Sequence, residues 1–278
     1  MIFKDELISS RNNPAVKYAS SLKEKKYRDI EKAFFIEGEK LCFEAFESKL
    51  PIARVYISES KCKELLARIK GYSELYEYSE CHVFVLSDLA FEKISTENSP
   101  QGIICILKHL DFFNYSDIIY KEDFLHCDQE KCIILCSVRD PGNLGAIIRS
   151  AVAFGVNRVF LTDDCADIYN ARTVRGAMGS LFKIKITSVR DIASLIGAIR
   201  GCGRRVFAAE LRDGASSLSE MTLIANDVFV IGNEGHGIPA EISSLCDGSI
   251  YIPISANTES LNASVATAVI MWEMGKLN

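Results

Sequence analysis

From residue 131 onward, the chain alternates short, almost fully apolar runs with segments of helical periodicity. The run CIILCSV begins this series at Cys132, and DVFVIG at Asp227 is a later member. A strand that is apolar on both faces must be covered by helices on both sides, which is typical of a parallel sheet. The alternation therefore predicts an α/β fold with a mostly parallel sheet in this half of the chain.

The first part of the chain shows a separate alternation of strand and helix patterns. FFIE, ARVYIS, HVFVLS and GIICILKHL read as strands, and LKEKKYRDIEKA and SKCKELLARIKGY read as helices. The stretch that follows is aromatic and acidic, without a clear period. We therefore predict a small α/β domain at residues 1–110, a linker at 111–130 and a second α/β domain at 131–278.

Charge and targeting signals narrow the class of protein. The net charge is -5, which excludes a uniformly basic nucleic-acid clamp. Residues 1–32 nevertheless carry eight Lys or Arg against five acids, a local net of +3. This segment permits contact with phosphates and fits a solvated helix face equally well. The start lacks a signal peptide, and there is no apolar stretch of about 18 residues, so we expect a cytoplasmic protein without a membrane span.

Familiar catalytic and cofactor patterns do not occur in the sequence. There is no GxGxxG after a strand, no GxxxxGK[ST], no HExxH and no GxSxG. The ten cysteines contain no CxxC pair, so we interpret them as reduced thiols in apolar surroundings. We expect no metal site.

Three polar, glycine-containing segments each follow an apolar strand of the second domain: VRDPGNLGAIIRS, VFVIGNEGHGIP and IPISANTESLNASVATAV. Ligands of open α/β sheets bind at strand ends, so these segments predict one common site. Its hydrogen-bonding groups would come from Asn143, Asn233, Glu234, Ser260 and Asn262.

Each of these residues also has a purely structural interpretation. Asn143 and Ser260 could cap helices, and Glu234 could pair with a structural cation. Arg149 could point to solvent from its helix. If it points inward instead, an anion must meet it, because a buried cation without a partner is costly.

The three segments resemble, in order, the signature motifs of the SpoU (TrmH) family of RNA ribose 2'-O-methyltransferases in the SPOUT superfamily. The first motif is matched by residues 143–149 and 154–155, the second by 231–235, and the third by 252–254 and 259–266. Residues 35–40 and 99–103 resemble the family's ribosomal-protein-like substrate-binding domain. The chain departs from the family at residues 256–258, where glycines are common, and at 176–177, where a hydroxyl residue is common.

The resemblance implies a fold, a cofactor and a reaction. It implies a small α/β substrate-binding domain, followed by a mostly parallel α/β SPOUT domain with a trefoil knot. It implies S-adenosylmethionine as the cofactor, with Gly232, Ile252 and Leu261 lining its pocket. The resemblance assigns to Arg149 the help that the 2'-hydroxyl needs to lose its proton; because a guanidinium is a poor base, we expect it instead to bind an RNA phosphate and stabilise the developing alkoxide. The protein would act as a homodimer, with Trp272 and Met274 on the closing helix near the interface.

The other expected residue roles follow from the same resemblance and from charge. Asn143, Glu234, Ser260 and Asn262 would join Arg149 in the catalytic group. The expected cofactor contacts also include Asn233, Glu234, Ile254, Ser260 and Asn262. The expected RNA contacts are Arg11, Lys17 and Lys25, with Arg172 and Arg175 in a loop.

The expected substrate is ribosomal RNA, because a separate N-terminal domain stands in place of short helical extensions. Methylation of transfer RNA by the same chemistry is an alternative. An RNA-binding protein without catalysis is a second alternative, and a nucleotide-binding enzyme of unrelated chemistry is a third.

Overall fold

The computed structural model describes residues 1–75, 78, 80–110, 113–116, 130–233 and 235–276. These residues fall into two compact units, each with its own sheet. The first unit comprises Met1–Leu110 and Tyr169–Phe182. The second comprises the described residues of Asp111–Ile168 and Lys183–Asn278. The predicted domain ranges differ from this division because they place residues 169–182 in the second domain.

The first unit is built on a five-stranded mixed sheet of order β1-β4-β3-β5-β2. Its strands are β1 (Ile2–Ile8), β2 (Ala33–Glu37), β3 (Ile52–Ser58), β4 (His82–Leu86) and β5 (Ile103–Lys108). Its first helices are α1 (Pro14–Ser21), α2 (Lys25–Glu31), α3 (Glu39–Glu47), α4 (Cys62–Leu75) and α5 (Asp88–Ile94).

Two features of this unit differ from the sequence prediction. The pattern did not reveal β1, whose sequence IFKDELI mixes charged residues into an edge strand. The polar helix predicted for residues 22–33 is preceded by a separate helix, α1, that the prediction omitted. The Asn13 side chain caps α1 by accepting a hydrogen bond from the Ala15 backbone, and Pro14 occupies the first turn.

The second unit is built on an eight-stranded sheet of order β11-β13-β10-β12-β7-β8-β9-β6. Its pairings are parallel throughout, which confirms the prediction of a mostly parallel sheet. The strands are β6 (Phe113–Ser116), β7 (Cys132–Leu135), β8 (Arg158–Thr162), β9 (Lys185–Val189), β10 (Val206–Ala209), β11 (Ser216–Ser217), β12 (Val228–Ile231) and β13 (Gly248–Tyr251). The helices of this unit are α6 (Pro141–Ala153), α8 (Ile192–Gly201), α9 (Ala240–Ser243) and α10 (Ala263–Gly275). Helix α7 (Ala171–Ala177) lies between them in the chain but belongs to the first unit.

Part of the predicted linker is not a linker. Strand β6, within residues 111–130, forms the edge of the large sheet by pairing with β9. Residues 111–112 and 117–129 lie outside the described residues. The expected trefoil knot stays a prediction. No helix in the described part of the chain is long and apolar enough to cross a membrane.

Helix α7 belongs to the first unit although it follows β8 in the chain. The Tyr169 ring stacks on Phe34 and His109, with centroids 4.3 and 4.2 Å away, and its hydroxyl accepts a hydrogen bond from the Leu110 backbone at 2.9 Å. Aromatic stacking and a buried hydrogen bond together fix this segment to the first unit.

Candidate active site

The three predicted polar segments leave neighbouring strands of the large sheet. They follow β7, β12 and β13, and the local strand order is β13-β10-β12-β7. Because these four strands are parallel, their carboxyl ends lie at one edge of the sheet. The sheet topology therefore brings the segments together, as the sequence predicts. It also adds the end of β10, which the sequence did not single out.

The first segment starts α6, but Asn143 is not its cap. Asp140 is the N-cap, and its carboxylate accepts a hydrogen bond from the Asn143 backbone at 2.8 Å. Pro141 occupies the first helical position, where its missing N–H costs nothing. The Asn143 side chain is therefore not used for capping, so the structural interpretation of this residue is wrong.

The Asn143 side chain instead contacts the third segment. Its oxygen accepts a hydrogen bond at 3.0 Å from the side-chain amide of Asn262. Asn262 is the N-cap of α10, because its oxygen also accepts from the Ser264 backbone at 2.9 Å. Ser260 is thus not the cap of this helix. The first turns of α6 and α10 lie side by side, and the two asparagines join them.

The second segment is tied to the first by Asn233. Its side-chain nitrogen donates to the Ser137 carbonyl at 2.8 Å, and its oxygen accepts from the Gly235 backbone at 2.8 Å. A Cβ atom on Gly232 would lie 2.4 Å from the carbonyl carbon of Gly237, so only glycine fits there. Glu234 lies outside the described residues.

Arg149 is exposed on α6, so the prediction of a buried cation that needs a partner does not apply. Within the described residues, it makes no ion pair or side-chain hydrogen bond. The buried face of α6 is formed by small and aliphatic residues such as Leu144, Ile148 and Ala151. Arg149 lies six residues after Asn143, about 9 Å further along the helix axis. Its exposed side chain is accessible to an anion from solution.

A cavity of about 510 Å³ opens beside the third segment. Ile252, Ile254, Ser260 and Leu261, all expected cofactor contacts, line it. Gly232, Asn233 and Asn262 are not among its lining residues, and Asn233 and Asn262 serve to hold the loops. The volume lies within the range of about 300–1,000 Å³ that is usual for small-molecule sites.

The sequence prediction missed the wall of the cavity that follows β10. Glu210 and Leu211 supply it, together with Ala209. Leu211 is 80% exposed. Burial raises the pKa of the Glu210 carboxyl, but hydrogen bonds from Ser243, Ser249 and Arg212 outweigh burial and hold the pKa below its usual value. The signal that could have identified this wall is its position at the end of the apolar strand pattern RRVFAAEL.

The expected RNA contacts all belong to the first unit, and some of them form ion pairs with acidic side chains. Arg11 pairs with Glu92 at 3.7 Å, and Lys25 pairs with Asp29 at 2.7 Å. Lys17 is exposed and has no ion pair within the described residues. The prediction that the other two lie in a loop is wrong, because both are on helix α7. Arg172 is exposed, and Arg175 pairs with Glu97.

Both parts of the chain match known families. The profile of the SpoU rRNA Methylase family matches residues 130–272, and that of the MRM3-like substrate binding domain matches residues 13–105. The chain is 31% identical over 267 residues to the 23S rRNA (guanosine(2553)-2'-O)-methyltransferase RlmP of Bacillus subtilis, covering 96% of this chain and 98% of that protein.

Solved structures agree with this assignment. The rRNA methyltransferase of Sinorhizobium meliloti superposes with a TM-score of 0.81 at 26% identity, over 99% of this chain and 98% of that one. An AdoMet-bound rRNA methyltransferase structure from the same organism gives a TM-score of 0.78 at 28% identity, over 98% and 97% of the two chains.

Proposed function

The chain belongs to the SpoU rRNA methylase family, and from that premise we propose that it methylates a ribose 2'-oxygen of ribosomal RNA with S-adenosylmethionine. The observation that carries the proposal is the contact between Asn143 and Asn262. This contact joins the start of α6 to the third segment, which lines the cavity. The helix that carries the proposed RNA-binding cation is therefore in contact with the segment that lines the proposed cofactor pocket.

The cavity suits S-adenosylmethionine in size and chemistry. Ile252, Ile254, Leu261 and Ile270 offer apolar surface to the adenine, and Ser260 offers a polar group. When bound, the cofactor supplies a methyl group already activated on a sulfonium. The protein therefore has to align the acceptor hydroxyl and to manage its proton.

Arg149 acts on the acceptor through charge. A guanidinium stays protonated at any physiological pH and is therefore a poor general base. Its planar fork of donors matches a phosphate oxygen pair, so it orients the RNA and stabilises the 2'-oxygen as negative charge develops. Asn143 and Asn262 hold the two helix starts in place for this contact. Glu234 and Ser260 complete the proposed catalytic group.

The first unit holds the RNA through exposed cations such as Lys17, which forms no ion pair within the described residues. The active form is a homodimer. Trp272, on α10, is 53% exposed and Val265 on the same helix is 49% exposed, which gives that helix an apolar outer surface for a second copy.

The test is methyl transfer to defined RNA. Ribosomal RNA from cells that lack this protein is incubated with the protein and labelled S-adenosylmethionine, beside RNA from parent cells and bulk transfer RNA. We expect label on ribosomal RNA from the deletion cells, at one alkali-resistant linkage that parent RNA already carries. Label on transfer RNA alone would refute the ribosomal assignment, and binding of RNA without transfer would refute catalysis.

A further inference from the structure

Glu210 is the one carboxylate of the cavity that the surrounding chain holds in a fixed position. One of its oxygens, Oε1, accepts hydrogen bonds from the Ser243 hydroxyl, from the Ser249 hydroxyl at 2.7 Å and from Arg212 Nη1 at 3.3 Å. Arg212 also donates to the Ser243 hydroxyl at 2.7 Å. The Glu210 side chain is 18% exposed. Three donors on one oxygen fix both the position of the carboxylate and its orientation.

The other oxygen, Oε2, has no hydrogen-bond partner within the described residues. Glu210 lines the cavity, and its backbone nitrogen is already used by the Ile250 carbonyl. A fixed carboxylate that keeps one oxygen available can only accept hydrogen bonds there, because an ionised carboxylate has no donor. The complementary ligand group is therefore an N–H or O–H donor.

We propose that Glu210 is a specificity-determining residue for the methyl donor, accepting on Oε2 a hydrogen bond from an N–H or O–H group of the cofactor. This inference rests on the proposed use of S-adenosylmethionine. The cofactor offers such donors in two places, on its adenosine part and on the ammonium of its amino-acid part. The negative charge of the carboxylate also suits a ligand that carries more positive than negative charge.

The substitution Glu210→Gln tests the proposal sharply because the network fixes the new amide. Arg212 can only donate, so the glutamine oxygen takes the place of Oε1 and its NH₂ group takes the place of Oε2. An acceptor that faced the cofactor becomes a donor, while the size of the side chain and the three donors to the oxygen at the Oε1 position are kept; the ion pair with Arg212 becomes a neutral hydrogen bond.

The matched control is Ser249→Ala. It removes one donor from Oε1 and leaves the acceptor on Oε2, and Ser249 itself does not line the cavity. If Glu210 only supports the loop after β10, both variants weaken cofactor binding alike. If Glu210 contacts the cofactor, only Glu210→Gln does so.

Isothermal titration calorimetry on the full chain measures three ligands: S-adenosylmethionine, S-adenosylhomocysteine and 5'-methylthioadenosine, which lacks the amino-acid part. Loss of a charge-assisted hydrogen bond in Glu210→Gln should weaken S-adenosylmethionine about tenfold to a hundredfold. Ser249→Ala should change its affinity less than about threefold at a similar melting temperature.

The other two ligands locate the donor. An equal loss for S-adenosylhomocysteine and 5'-methylthioadenosine assigns the donor to the adenosine part, and a loss for S-adenosylhomocysteine alone assigns it to the ammonium. Parental affinities in Glu210→Gln, or equal losses in both variants, overturn the inference while the proposed function stands. A parent protein that binds no S-adenosylmethionine would refute the proposed function and, with it, this inference.

Discussion

Replacing Arg149 by alanine should abolish most methyl transfer while leaving the protein folded. The side chain is exposed on α6 and forms no ion pair within the described residues, so its removal breaks no contact that stabilises the helix. Alanine has at least the helix propensity of arginine. We therefore expect the free energy of unfolding to change by no more than about 0.5 kcal/mol.

The effect on the reaction should be far larger than the effect on stability. Removing one group that stabilises developing negative charge typically costs about a hundredfold in rate, or about 2.7 kcal/mol of barrier. Lysine should not restore the rate, because an ammonium lacks the planar fork that matches a phosphate. Cofactor affinity should stay at the parental value, because Arg149 does not line the cavity.

Single-turnover transfer of labelled methyl to ribosomal RNA at saturating cofactor measures the rate directly. Arg200→Ala is the matched control. It removes the same charge from another exposed position, on α8, where the arginine pairs with Asp247. A near-parental rate for Arg149→Ala would show that the arginine is only a surface charge and would refute the electrostatic role. Equal losses in both variants would point to net charge as the cause.

Three further predictions test the loops, the first unit and the helix caps. Gly232→Val should lower both the melting temperature and cofactor affinity, because its Cβ would lie 2.4 Å from the backbone of Gly237; an unchanged thermal unfolding curve would contradict the close packing. Lys17→Ala should weaken RNA binding and reduce its salt slope by about 0.7–0.9 in a filter-binding titration, and Lys25→Ala, whose charge is already paired, should do less. Asp191 is the N-cap of α8, and hydrogen bonds from Ser194 lower the pKa of its carboxyl. Its ionised form therefore contributes fully to the free energy of unfolding above the ordinary pKa of 3.8, and this contribution is lost as the pH falls through the lowered pKa of the folded state. Asp191→Ala should therefore cost about 1 kcal/mol in urea unfolding at pH 7 and progressively less as the pH falls below 3.8, and a pH-independent cost would exclude the cap carboxylate as its source.

The large sheet was predictable because its strands are buried on both faces. Runs such as CIILC and VFVI are apolar without interruption, and burial of that kind leaves a clear mark on the sequence. Strands β1 and β6 were missed for the opposite reason. Both lie at the edge of a sheet, where one side has no neighbouring strand and the residue pattern is correspondingly weaker.

The three polar segments could be predicted to meet at one end of the sheet, but the individual contacts of their residues could not. Asn143 has the residue type and the position of a helix cap, and sequence alone cannot choose between it and Asp140 three residues earlier. Its real partner, Asn262, lies 119 residues away in the chain. Glu210 belongs to no motif, and its position beside the third segment depends on the placement of β10 between β12 and β13, which the sequence did not reveal.

The arrangement of charge explains how an arginine and a cationic methyl donor can work side by side. Helices α6 and α10 start next to each other, and each helix start carries a partial positive charge that favours an anion. In the proposed mechanism, these starts and Arg149 form the end of the site that binds RNA phosphate and the developing alkoxide. The cavity that continues from Ser260 and Leu261 carries the carboxylates of Glu210 and Glu259, which suit a cation. In methyl transfer, the methyl group would pass from the sulfonium to the 2'-oxygen while the hydroxyl proton passes to water, so that the sulfonium charge and the charge developing on the oxygen would both disappear. Separate negative and positive surroundings therefore hold the opposite charges apart until the reaction consumes them.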